Sequence, residues 1–150
     1  MEVDWREPMK ESFKPGQHCY LASDSPSMPY SVVFEDDGET GYFYAWERDA
    51  EASGRILDAV HVYNVASIVD AERTSTAELV WSRDGGKAVL LINAYPHAAF
   101  DFDAKRRYCR TNFPNFPLQS EEEWRKASHE WDDAVMDYFR PIGTDSSGQQ

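Results

Sequence analysis

Much of this chain alternates apolar and polar residues in the two-residue rhythm of strands. Tyr30 to Glu35 is rich in β-branched and aromatic residues, Asp37 and Gly38 supply a turn, and Thr40 to Glu47 resumes with Tyr42, Phe43, Tyr44 and Trp46. That order predicts a β-hairpin. Ile56 to Asn64 contains Val60, His61, Val62 and Tyr63, which favour a strand over a helix, and Val65 to Arg73 is read as a short helix or turn. A second hairpin runs from Glu78 to Ser82, through Asp84 and Gly85, into Lys87 to Asn93. Its second arm holds an unbroken apolar run from Ala88 to Ile92, the pattern of a central strand covered on both faces. After a turn around Tyr95 and Pro96, Ala98 to Phe102 alternates, and Arg106 to Arg110 is placed as an edge strand.

The rhythm then changes. Ser120 and Glu123 form a capping box, and Trp124, Ala127, Trp131, Ala134, Val135 and Tyr138 recur at spacings of three and four before Pro141. An amphipathic helix over 120–139, about 30 Å long, is expected there. At the other end, Pro8, Pro15, Pro26 and Pro29 punctuate an irregular entry over residues 1–29, with one short strand from Cys19 to Ala22. The Gly, Ser and Gln residues of 143–150 predict a disordered tail. The expected fold is therefore α+β: a single domain over 1–142, with an antiparallel, meander-like sheet of about six to seven strands covered by one C-terminal helix.

Composition sharpens that picture. Aromatic residues make up 14% of the 150 residues, enough for a core that needs no staples. Cys19 and Cys109 are too few for a disulfide framework and lack zinc-site spacing, so both are expected to be unpaired thiols. Met1 to Lys10 lacks the basic and apolar regions of a signal peptide, and no run approaches a membrane span, which predicts a soluble, cytoplasmic protein. The net charge of −12 repels nucleic-acid phosphate and anionic lipid and favours a basic protein partner.

Candidate chemistry is sparse. The histidines are His18, His61, His97 and His129, with no metal-binding pair at helical spacing. His97 precedes Asp101 and Asp103, and Lys105, Arg106, Arg107 and Arg110 follow as the one dense basic cluster. His97, Asp101, Asp103, Arg107 and Arg110 are thus the candidate ligand-binding residues for a small anion, because guanidinium groups match carboxylate and phosphate. The same charges would also suit a solvated edge strand that resists aggregation. Asp36, Asp37 and Glu39, crowded at the first hairpin turn, are the candidate partner-binding residues; their spacing is not that of a calcium loop. Nucleophile elbows, phosphate loops and dinucleotide fingerprints are absent, so no catalytic residue, metal or cofactor is assigned.

Several segments resemble a known family when taken in order. They are Val32 to Tyr44, Ile56 to Val65, Pro96 to Phe102, Arg110 to Pro114 and His129-Glu130-Trp131. Together, over about residues 30–139, they resemble a domain-of-unknown-function family of small uncharacterised bacterial proteins. The resemblance implies a bacterial origin and brings no activity, cofactor or site residue. Small size, acidity and aromatic richness lead to the expectation of a protein-binding or inhibitory, immunity-like module. The alternative is an enzyme or small-anion-binding protein with a pocket near His97, Asp101 and Arg107.

Overall fold

A computed structural model describes residues 9–48, 55–69, 72–111 and 130–139. Period-two alternation dominates it: nine strands run β1 (Met9–Phe13), β2 (Cys19–Asp24), β3 (Tyr30–Asp36), β4 (Thr40–Glu47), β5 (Arg55–Asn64), β6 (Ser75–Trp81), β7 (Lys87–Ile92), β8 (Tyr95–Asp101) and β9 (Arg106–Cys109). They form two antiparallel sheets, one ordered β1-β6-β7-β8-β9 and the other β2-β3-β4-β5. Inward side chains of the two sheets meet in a common core. Val32, Phe34, Phe43, Ala45 and Val62 come from the smaller sheet, and Leu79, Ala88, Leu90, Ala98 and Phe100 from the larger. Phe43 stacks on Phe100 across the layers with ring centroids 4.9 Å apart. Each such ring or branched chain contributes roughly 1.5–3 kcal/mol by leaving water.

Two sheets stand where the sequence reading placed one. The apolar run of β7 is covered on one face by the smaller sheet and on the other by the C-terminal segment, through Val89, Ala99 and Val135. A strand wrapped on both faces reads the same whether its cover is a helix or a second sheet, which is why the pattern misled. The entry, read as irregular apart from a short strand at Cys19 to Ala22, has that strand as β2, extended to Asp24, and contains β1 as well. Among its described residues, Pro15 follows β1, and Pro26 and Pro29 sit between β2 and β3. The turn from β7 to β8 is made by Asn93 and Ala94, both in the left-handed region, rather than by Tyr95 and Pro96.

The expected α+β class is overturned too, since the described residues contain no α-helix. Of the expected C-terminal helix, 120–129 lies outside the described residues, including the capping pair Ser120 and Glu123. Glu130 instead makes a parallel bridge with Cys109, and Asp133–Phe139 is a 3-10 segment. Local bonds of two carboxylates mark the start of that segment. Asp132 Oδ1 accepts from Ala134 N, Asp133 Oδ1 accepts from Trp131 Nε1, and Val135 N donates to Asp132 O three residues back. Such local bonds compete with α-helical ones. Val65–Ser67 forms a second 3-10 turn. The expected tail 143–150 also lies outside the described residues. Among these, no helix is long and apolar enough to cross a membrane.

Candidate functional site

The outer face of the smaller sheet carries three cross-strand rows. Strand register aligns Tyr20, Glu35, Tyr42 and His61 in the first, Ala22, Val33, Tyr44 and Ala59 in the second, and Asp24, Ser31, Trp46 and Ile56 in the third. The middle row is mostly small, so the large residues on either side leave a depression of about 570 Å³ over Ala22 and Val33. Tyr44 and Trp46 are half-buried in its wall, whereas Tyr20 is 67% exposed at the rim.

Polar groups hold that face in place. Tyr44 Oη donates to Glu35 Oε1 at 3.2 Å, and its ring stacks on Tyr42 at 5.9 Å. Burial pushes the Tyr44 phenol well above its ordinary range, and the Glu35 carboxylate reinforces the shift. His61 lies 5.5 Å from Tyr42, and its Nε2 donates to Asn64 Oδ1 at 2.9 Å. Arg48 closes the opposite end: its guanidinium donates to Met28 O at 3.0 Å and Ser31 Oγ at 3.2 Å and lies 3.8 Å from Asp24. Electron-rich ring faces beside carboxylates can receive a cationic side chain with an apolar stem.

The residues singled out from sequence are scattered. Asp36 is fully buried and accepts from Gly16 N at 2.9 Å, Gly38 N at 2.8 Å and Tyr63 Oη at 2.6 Å, so it anchors loops rather than facing a partner. Asp37 and Glu39 are exposed at the turn beyond Glu35. Backbone amides of Glu39 and Thr40 lower the Asp37 pKa. Arg107 is buried between the sheets and paired with Asp58 at 3.2 Å. Asp101 and Asp103 lie 3.9 and 3.7 Å from the buried Lys87 ammonium. His97 stands four residues before Asp101 on β8, roughly 13 Å along the strand. Arg110 is clasped between the rings of Tyr95 and Trp131, 4.4 Å from each centroid. His97, Asp101 and Arg107 therefore do not converge on one pocket.

Other chemistry is muted. Burial raises the thiol pKa of Cys109, and burial with Glu11 and Asp36 raises that of Cys19, so neither free thiol is primed as a nucleophile. Among the described residues, no three His, Cys, Asp or Glu side chains are grouped to hold a metal ion. Tyr20, Glu35, Tyr44, Trp46 and Arg48 were missed as site residues. Their signal was present in the strict alternation of Tyr42, Tyr44 and Trp46 with Phe43 and Ala45, which sends the amphipathic rings to one face.

No solved structure matches the chain. An uncharacterised protein of Haemophilus influenzae is 42% identical over 106 residues, which cover 68% of this chain and 65% of that protein. The match thus spans just under two thirds of the relative's length. With residues 13–140 matching its family description, the chain belongs to DUF2251, a family of uncharacterised proteins conserved in bacteria.

Proposed function

We propose that the protein is a binding or inhibitory module, immunity-like in kind, whose outer four-stranded face takes a basic segment of a partner protein. The observation that carries this reading is the row arrangement around the depression: Tyr20, Tyr44 and Trp46 supply rings, and Glu35 and Asp24 supply carboxylates. Tyr and Trp anchor interfaces because they bury large area at small entropic cost. Asp37 and Glu39 extend the negative rim, and the net charge of −12 supports attraction of a basic partner from a distance. The proposed setting is the bacterial cytoplasm, which suits the two free thiols.

A nine-residue peptide alternating Arg and Gly provides the test, by calorimetric titration at low salt. Binding is expected, and Tyr44→Ala or Trp46→Ala should weaken it roughly fivefold to tenfold. Neither substitution alters net charge, so each separates the face from the general field. Affinity that follows salt alone and ignores both aromatic substitutions would overturn the reading.

A further inference from the structure

A second concavity opens at the end of the sandwich where β5 leads into β6 and β7 turns into β8. It measures about 590 Å³, within the range of small-ligand sites. Buried Phe13, Val62 and Ile92 form an apolar floor contributed by both sheets. At the mouth stand Val69, which is 85% exposed, and Arg73.

The polar atoms around this cleft are mostly committed. Asn93 accepts from Thr76 N at 3.0 Å and donates to Ser75 Oγ at 3.3 Å, and Thr111 Oγ donates to His61 O at 2.6 Å. His97 Nδ1 donates to Tyr95 O at 2.9 Å. Burial lowers the His97 pKa, with nearby Arg110 adding to the effect against the opposing Tyr95 bond, so the ring is uncharged at neutral pH. Arg73, in contrast, has no ion-pair partner among the described residues. Arg73 thus places a cation at the lip of a cleft with an apolar floor and a largely polar wall, in a strongly acidic protein.

We propose that this cleft binds a small amphipathic monocarboxylate, with its alkyl body on Phe13, Val62 and Ile92 and its carboxylate paired with Arg73. The apolar floor selects against bare anions, which gain little from one exposed guanidinium against a net charge of −12. The carboxylate selects against plain hydrocarbons, because only an anion pairs with the guanidinium fork. This site is separate from the outer face of the smaller sheet and does not depend on it.

Octanoate serves as the probe, with acetate, phosphate and octanol as comparisons, read by thermal unfolding of the full chain. Octanoate should raise Tm in proportion to the logarithm of its concentration, and the comparison molecules should not. Arg73→Gln should weaken octanoate about threefold to fivefold while leaving ligand-free Tm unchanged, since the side chain is exposed. Val69→Asp, also at an exposed position, should do the same by placing a charge of the ligand's own sign at the mouth. Trp46→Ala should leave the response intact. An absent octanoate effect, one matched by acetate, phosphate or octanol, or one unchanged by Arg73→Gln would overturn the proposal.

Discussion

The Arg107 guanidinium spans the sandwich to the Asp58 carboxylate at 3.2 Å, with side chains only 2% and 7% exposed. A charge this deep is tolerable only while paired. Arg107→Met or Asp58→Leu alone is therefore expected to cost about 3–5 kcal/mol in urea unfolding, and the double variant should recover most of that loss. A single substitution that left stability within about 0.5 kcal/mol of the parent would show that the pair is not isolated from water.

Tyr63 points to the alkaline limb of stability. Burial, then its hydrogen bond to Asp36, raises the phenol pKa above the ordinary value near 10. A raised folded pKa means the unfolded chain releases its proton first, so stability is full below about pH 10 and falls as pH rises beyond it. Tyr63→Phe should flatten part of that fall while costing about 1–2 kcal/mol at pH 7, because Asp36 loses a donor. Urea midpoints measured from pH 7 to pH 11 provide the check.

On the larger sheet, Val135 is buried against Val89 and Ala99, whereas Trp131 is half-buried and lies over Arg110. Trp131→Ala should cost about 1–2 kcal/mol, less than a core tryptophan would. Far-UV circular dichroism of this variant should retain its strand signal, since the core between the sheets does not include this ring.

The acidic turn divides into two kinds of residue. Asp37→Asn with Glu39→Gln should slow association with a basic partner, chiefly at low salt, and leave dissociation nearly unchanged. Asp36→Asn should instead lower the unfolding midpoint, because that buried carboxylate accepts from Gly16, Gly38 and Tyr63. Stopped-flow binding and denaturant melts distinguish the two.

Both hairpins were legible because Asp37-Gly38 and Asp84-Gly85 carry turn chemistry between arms rich in β-forming residues. Gly85, for example, has φ of 74° and meets the hydroxyls of Ser25 and Ser27 where a side chain would begin. The division into two sheets was not legible, since alternation tells which residues share a face but not what lies opposite. Trp131 and Val135 suggested a helix by spacing, yet Asp132 and Asp133 between them capture local donors at the start of a 3-10 segment. The candidate site was hidden for a related reason. Charge drew attention to Asp36 and Arg107, and burial turned both into internal anchors.

The docking of β1 onto β6 bears on the order in which the molecule assembles. The other ladders join consecutive strands, but this one sets Met9 opposite Leu79 and must close a loop of the intervening chain. Local hairpins repay their entropy early, whereas so distant a pairing is repaid only after the partner strand is in place. Destabilising changes at the buried Phe13 end of β1 should accordingly speed unfolding while leaving the folding rate nearly untouched. The strand that begins the described chain is the one expected to join the sandwich last.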